Sequence, residues 1–372
     1  MKVLHIITGL RLGGAEGVLF NLVSNDKINK HYIISLTNKS YYSEFFFKIG
    51  IDVHHFNFFD RSRLIKNFMN LVTVIRDISP THIQTWMYHA NFFSILLKPF
   101  FINLPFFWNL RGTHSFTSLN FSINFIQVVL SLFSSIVPKK IICCSESVKI
   151  NHMRYFNISK LVVVNNGFDT IRLNSSVHER VALRNSLNLS NDSILFGMAC
   201  RYHPQKDFYT LFESLNLIKT RGFEFKIILV GSNLNWDNLE LVNIIKFYNL
   251  ENFVLLNGIS NNINEFYGVI DFYFMTSFYG EGFPNVIAEA MACGIPCIST
   301  NIGEASKIIN SLGSIVEPQR PDLFAAEVIK FLKIMEDKSS FGELKNKCRE
   351  FIESNYGLSK MISNYNNVWS IK

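Results

Sequence analysis

Apolar runs of strand length alternate along the chain with amphipathic segments of helix length. VLHIITG, HYIISLT, THIQTWM, PFFWNLR and KIICCSE are short apolar runs, and helical-period stretches such as AEGVLFNLVSN lie between several of them. Such alternation predicts a mostly parallel sheet covered on both faces. After VVVNNGFD the pattern lapses into the polar stretch LNSSVHERVALRNSLNLSND, and ILFGMAC opens a second series. That series continues through a helix from Asp207 to Arg221, the strands FKIILVG, FVLLNGI and DFYFMTS, a helix from Pro284 to Cys293, and the strand PCIST. The prediction is an α/β protein of two Rossmann-like, doubly wound domains, residues 1–168 and 169–355, with a helix in 356–372 packing back towards the first domain.

Length agrees with this division, since 372 residues suffice for two domains that each bury a core. Charged residues make up only 17% of the chain against 48% hydrophobic, so some apolar surface is expected to face something other than water. The net charge of +7 favours anionic partners such as nucleotides, phospholipids or lipid diphosphates. Basic residues are scattered singly without interleaved aromatics, which argues against nucleic acid. Six cysteines with no C-x-x-C pair fit a reducing cytoplasm, and Cys293 and Cys297 read as core thiols rather than half a metal site. MKVLHIITGL reads as a first strand rather than a signal peptide. From Asn91 to Pro138 the sequence is very apolar, but Lys98, Pro99, Pro105, Arg111 and Asn124 interrupt it too often for a membrane span. Its two aromatic-rich patches carry two readings: core packing for most residues, or an amphipathic surface docking on a membrane near Lys98, Lys139 and Lys140.

The most informative segment chemically is SFYGEGFPNVIAEAMACGIPC, a strand end, a glycine-bearing loop, a helix and a tight exit. Pro284 is expected in the first helical turn and Gly294 just beyond the last. The unpaired N–H groups near Phe283 to Val286 offer a phosphate site, and Gly280 and Gly282 let a ligand approach the backbone. Glu281 and Glu289 can accept hydrogen bonds from vicinal hydroxyls, of a sugar and of a ribose respectively; the alternatives are an acid/base pair or plain helix solvation. A helix start favours the ionised acid over a proton donor. In ACRYHPQKDFYTLFES, Arg201 and Lys206 flank a proline turn and can converge on one diphosphate, or stand as solvated loop charges. No D-x-D pair occurs, so these cations and the helix start are expected to neutralise a diphosphate without a metal. Near the N-terminus GLRLGGAEGVLFNL places Gly13 and Gly14 in a turn that opens a helix, suited either to close approach of a ligand or simply to a tight connection.

Together GLRLGGAE, NNGFD, RYHPQKDF, VGSN and EGFPNVIAEAMACGIPC resemble the large retaining glycosyltransferase family of the glycosyltransferase-B fold, which includes many bacterial capsule, O-antigen and lipopolysaccharide enzymes. The resemblance implies two Rossmann-like domains facing a central cleft. It also implies transfer of a sugar from a nucleoside diphosphate sugar, a UDP-sugar, to a lipid-linked or oligosaccharide acceptor, with no cofactor beyond that co-substrate. Glu281 then corresponds to the residue binding donor-sugar hydroxyls, Glu289 to the one binding the ribose, and Arg201 and Lys206 to the diphosphate-binding pair. Gly282, Phe283, Pro284, Asn285 and Val286 would line sugar and phosphate through their backbone, with Gly13 and Gly14 across the cleft. Gly258, Ile259 and Ser260 would lie near the base, and Gly231 and Ser232 beside the nucleotide. Many members place a histidine at the end of a strand in the first domain; here FFWNLRGTHSF offers Arg111 and, three residues on, His114, while His89 of QTWMYHAN is a candidate for acceptor contact. The resemblance further implies a cytoplasmic enzyme, with a peripheral contact to the anionic inner face of the membrane as an added expectation. The competing functions are a sugar-nucleotide epimerase on the same scaffold and a non-catalytic nucleotide-sugar-binding partner.

Overall fold

The computed structural model describes every residue except 59, 114–120, 174–176, 261 and 372. The chain forms two compact units, Met1–Gly167 with Leu358–Lys372, and Phe168–Gly357. Among the described residues the first unit holds seven strands: β1 (Lys2–Ile7), β2 (Lys30–Ser35), β3 (Val53–His55), β4 (His82–Trp86), β5 (Phe106–Leu110), β6 (Pro138–Cys143) and β7 (Leu161–Val163). They lie in the order β3-β2-β1-β4-β5-β6-β7, every pairing parallel. Parallel strands must be covered on both faces, and β5 shows this directly, with all five of its residues buried.

Helix Gly14–Asn25 covers one face of this sheet through Val18, Leu19 and Leu22. The helix Leu358–Trp369 adds Met361, Tyr365, Val368 and Trp369 to the same core. Both large polar rings of this last helix find partners: the Trp369 indole donates to Gln84 Oε1 at 3.1 Å, and Asn109 Nδ2 donates to the Tyr365 hydroxyl at 2.7 Å. Satisfied in this way, an aromatic with a polar tip can be buried without an orphaned donor.

The second unit repeats the arrangement with β8 (Leu195–Ala199), β9 (Lys226–Val230), β10 (Val254–Leu256), β11 (Phe272–Met275), β12 (Cys297–Thr300) and β13 (Ser314–Val316), in the order β10-β9-β8-β11-β12-β13 and again parallel. Phe196, Phe212, Leu229, Phe272 and Phe274 are central to its core. The strand order reverses between β8 and β11, and in such sheets ligands bind beyond the carboxyl ends of the strands at that reversal. The loops carrying Arg201 with Lys206 and Glu281 with Glu289 follow β8 and β11, so they flank the reversal point.

The polar stretch after NNGFD folds as part of the second unit. It contains the helix Val177–Ser186, and Arg184 on that helix is fully buried. Its guanidinium donates to Asp271 Oδ2 at 2.7 Å, to Val269 O and to Ser193 O, while Arg180 donates to the other oxygen of Asp271. Polarity here marks a buried charged cluster rather than a solvated linker. Removing one member of such a cluster costs about 3–5 kcal/mol because the partner is left buried and unpaired.

Candidate active site

The loop after β8 is shaped by its own side chains. His203 caps the short 3-10 turn Pro204–Lys206 by accepting from the Gln205 N–H at 3.2 Å. Partial burial and the neighbouring cations Arg201 and Lys206 push the imidazole pKa below its usual value. With one ring nitrogen committed and protonation disfavoured, His203 is a structural residue. Asp207 follows in a left-handed conformation (φ 47°) and caps the helix Phe208–Thr220, accepting from the Thr210 N–H at 3.1 Å. The predicted helix from Asp207 to Arg221 thus loses only its two terminal residues, which serve as caps. Arg201 stands exposed at the start of this loop.

Lys206 projects from the end of the turn to the loop after β11, where its ammonium lies 2.5 Å from Glu281 Oε1. The same oxygen accepts from the Ser277 hydroxyl at 2.9 Å and from Gln205 Nε2 at 3.3 Å. Thr276 Oγ1 donates to the Lys206 carbonyl at 2.7 Å, and the Phe278 N–H donates to the Gln205 carbonyl, so the two loops are tied through backbone as well. Gln205, Thr276 and Ser277 escape a sequence reading because their contacts exist only once β8 and β11 lie side by side.

Two glycines in these loops are dictated by geometry. Gly231, just after β9, has φ 142°, and a Cβ there would lie 1.8 Å from the Cys200 carbonyl oxygen. Its N–H donates to the Gly258 carbonyl at 2.6 Å, and the Ser232 carbonyl accepts from Tyr202 N at 2.8 Å, which holds the loops after β8, β9 and β10 together. Gly258 thereby joins this rim, followed by Ile259, 61% exposed, and by Ser260, whose hydroxyl donates to the Asn262 carbonyl. Gly303, which comes after β12 with φ 64°, is the second: a Cβ there would lie 2.6 Å from the Glu281 carbonyl and 2.8 Å from that of Gly282. That residue supports the Glu281 backbone from beneath and has no counterpart among the sequence-based candidates.

The helix after Glu281 spans Asn285–Ala292, with Pro284 as its N-cap (φ −73°, ψ 90°) rather than inside its first turn. The restricted φ of proline suits that position equally well, and the helix ends at Cys293 and Gly294, the latter at φ 73°. Phe283 is packed between Phe168, 6.0 Å away and stacked, and Tyr356 at 5.5 Å edge-on, so its side chain is structural and only its backbone faces the loop. Asn285 and Val286, both half-buried, open the helix. Glu289 sits further along the same helix, and the Tyr267 hydroxyl donates to its Oε2 at 2.8 Å. Burial raises the Glu289 pKa, opposed by the Tyr267 hydrogen bond and the charge of Arg172.

In the first unit Gly13 is the extended N-cap (φ −168°) and Gly14 the first residue of the helix Gly14–Asn25. A Cβ on Gly13 would lie 2.5 Å from Glu16 Oε2, so this carboxylate folds back over the helix start. Burial raises the Glu16 pKa, against the pull of its own backbone hydrogen bond and of Arg111. Arg111, directly after β5, has its Cζ 5.6 Å from the centre of the Trp86 ring, and its buried Nη1 has no hydrogen-bond partner among the described residues. Such a donor is costly to leave unused. His89 is the third residue of the helix Met87–Leu97 rather than part of a loop, and burial lowers its pKa. His114 lies outside the described residues.

The second of the two α/β units gathers a cation, a carboxylate and a helix start at its strand reversal. Residues 179–351, most of the second unit, match the family described as Glycosyl transferases group 1. Over 310 residues the chain is 23% identical to EpsF of Bacillus subtilis (strain 168), covering 80% of this chain and 78% of that one. Over 170 residues it is 28% identical to the capsular polysaccharide biosynthesis glycosyltransferase CapM of Staphylococcus aureus, covering 45% and 43%. Over 252 residues it is 23% identical to the UDP-Gal:alpha-D-GlcNAc-diphosphoundecaprenol alpha-1,3-galactosyltransferase of Escherichia coli, covering 65% and 62%. Among solved structures, Anabaena HepE in complex with UDP-glucose superposes with a TM-score of 0.86 at 20% identity, covering 100% and 99% of the two chains. This likeness shows the glycosyltransferase-B fold.

Proposed function

We propose that this protein is a retaining, metal-independent glycosyltransferase that moves a sugar from a UDP-sugar to a hydroxyl of a lipid-linked or oligosaccharide acceptor in bacterial capsule or O-antigen synthesis. The observation that carries this reading is the Lys206–Glu281 pair at the strand reversal of the second unit, beside the start of the helix Asn285–Ala292. A cation and a carboxylate that neutralise each other without ligand are the two groups a sugar diphosphate needs, one for its phosphate and one for its hydroxyls. Two similar proteins support the choice of donor and acceptor: HepE is in complex with UDP-glucose, and the Escherichia coli relative is a galactosyltransferase named for UDP-Gal and a diphosphoundecaprenol-linked sugar.

In this mechanism Arg201, Lys206 and the N–H groups of Asn285 and Val286 stabilise the departing diphosphate as the anomeric bond breaks through an oxocarbenium-like state. Glu281 accepts from the donor sugar and Glu289 from the ribose, while Gly231, Ser232 and Gly258 to Ser260 border the nucleotide. The leaving phosphate oxygen takes the proton of the acceptor hydroxyl on the same face, so no protein carboxylate acts as nucleophile. Arg111 stands where the family's histidine meets the donor sugar, His89 serves the acceptor, and the acceptor's lipid places the enzyme at an anionic membrane face.

Turnover of UDP-sugars with Arg201→Ala and Lys206→Ala variants tests the reading. Loss of a donor aimed at developing charge is expected to lower kcat by roughly 10²–10³-fold, with the melting temperature of the unliganded protein unchanged for the exposed Arg201 and lowered for Lys206, which pairs with Glu281, and EDTA is expected to have no effect. Unchanged turnover in both variants would overturn it.

A further inference from the structure

Between Asp77 and Glu146 the chain contains no acidic residue, while Lys98, Arg111, Lys139 and Lys140 fall within that span. Within it lies the helix Phe121–Phe133, FSINFIQVVLSLF, which has no charged residue at all. Its outer face is apolar: Phe125, Val128 and Leu132 are exposed, the last by 70%. The stripe continues past the helix end into Ile136, also 70% exposed, whose N–H donates to the Phe133 carbonyl.

Ile136 shares a surface groove with Ile102, 72% exposed, and with Lys98, Lys139 and Lys160. This groove lies where β5 and β6 begin, at the sheet edge opposite the carboxyl ends that carry Arg111 and the Gly13 turn. Two of its lysines staple the turns that display the isoleucines. Lys98 Nζ donates to the carbonyls of Ile102 at 2.7 Å and Leu104 at 3.0 Å; Lys160 Nζ donates to those of Ser135 and Pro138, the latter at 2.6 Å. Lys140 Nζ donates to the Ser159 carbonyl at 3.0 Å. These ammonium groups spend their protons on backbone carbonyls, not on carboxylates, so their positive charge is left for an external anion. Burial lowers the pKa of Lys160, as do Lys140 and Lys98 beside it, a crowding of like charge.

We propose that this face, the outer stripe of the helix Phe121–Phe133 with Ile136 and Ile102 and the lysine rim around them, docks on an anionic phospholipid surface. Exposed apolar side chains enter the boundary between headgroups and acyl chains, and Lys98, Lys139, Lys140 and Lys160 lie at headgroup level. Charge complementarity selects this occupant over a second copy of the chain, because apposing two such faces would bring two acid-free lysine clusters together. The proposal deepens the reading of a lipid-linked acceptor by naming the surface that meets the membrane, but it does not depend on the donor site.

Cosedimentation of the full chain with vesicles of phosphatidylcholine alone and of phosphatidylcholine with phosphatidylglycerol tests it. The protein should bind the anionic vesicles at low salt, with affinity falling as salt rises, and should leave the neutral ones in solution. The double variant Leu132→Ser/Ile136→Ser is expected to bind at least ~10-fold more weakly, since it removes two side chains of the inserting stripe. Phe247→Ser, at an exposed apolar residue of the second unit, should bind like the natural sequence. Equal binding of the double variant, equal binding to neutral vesicles, or a lipid-free dimer that the double variant dissolves would each overturn the proposal. A UDP-induced thermal shift, measured in parallel, reads the donor site separately: its absence with vesicle binding intact refutes the donor assignment and leaves this one standing.

Discussion

Glu289 illustrates how a single neighbour sets the state of a functional group. Burial pushes its carboxyl pKa upward, and the Tyr267 hydroxyl, 2.8 Å away, works in the opposite direction by donating to the ionised form. Tyr267 is itself almost fully buried, and its own ionisation is suppressed by burial and by the charge of Glu289, so it acts only as a donor. If Glu289 receives the ribose hydroxyls, it must be ionised to accept from both. Replacement Tyr267→Phe removes the opposing influence, raises the Glu289 pKa further, and shrinks the ionised fraction at a given pH. Calorimetric titration of UDP across pH 5–8 should show affinity declining as pH falls through the Glu289 pKa, with the decline at higher pH in the variant. At neutral pH the loss should be about 1–3 kcal/mol, the cost of leaving a buried charged acceptor unpaired. Superimposable pH profiles would refute the positioning role of Tyr267.

Along the elements, the first unit hides a chain of four polar groups. Trp86 Nε1, at the end of β4, donates to His5 Nδ1 in β1 at 3.2 Å; His5 Nε2 meets His31 Nδ1 of β2 at 2.9 Å; and His31 Nε2 meets Asp26 at 3.2 Å. Only one arrangement of protons satisfies every contact: both imidazoles neutral, each carrying its proton on Nε2, with the chain running from Trp86 to an ionised Asp26. Burial lowers the pKa of both histidines, helped for His5 by His31 and resisted for His31 by Asp26. Because the folded pKa values lie below the unfolded value near 6.5, the stabilisation is complete above about pH 6.5 and declines as pH falls below it, where the unfolded chain gains protons that the folded one refuses. Each histidine contributes a slope approaching about 1.4 kcal/mol per pH unit. Denaturant unfolding of the natural protein and of His31→Gln from pH 7.5 to 5 should show a shallower decline in the variant; parallel slopes would contradict the neutral chain. Legibility in the sequence follows from the same physics. Long buried strands such as β1, β4, β5, β8 and β11 announce themselves as apolar runs, whereas β3 and β13, three residues each at sheet edges, are too short to carry a period. Lys206 and Glu281 stand out by residue type and loop context, but Tyr267, Ser277 and Gln205 become visible only when distant strands pair. The buried pairing of Arg184 with Asp271 is not legible for the same reason: a polar residue gives no sign in sequence of whether water or a partner satisfies it.

At the scale of the molecule, the chain builds most of one unit, then all of the second, and returns at Leu358 to finish the first. The last helix is therefore core rather than appendage. Trp369 is 1% exposed, Tyr365 fully buried, and both hydrogen-bond to residues of β4 and β5 that lie more than two hundred positions earlier. Trp369 also packs edge-on and tilted against the histidine chain, its ring 6.0 Å from that of His5 and 6.2 Å from that of His31. Replacement Trp369→Ala opens a cavity beside those rings and leaves Gln84 Oε1 without its donor, at a cost of about 3–5 kcal/mol for the lost indole. The second unit has a sheet and core of its own, built from residues between Phe168 and Gly357. Hydrogen exchange should accordingly rise in β1, β4 and β5 of the Trp369→Ala variant while β8, β9 and β11 keep their protection. Were the last helix merely a tail laid on the surface, exchange in β1 and β4 would be unaltered; were the sheet of the second unit dependent on it, protection would fall in β8 and β11 to the same extent. Either pattern would contradict a core completed by the returning chain.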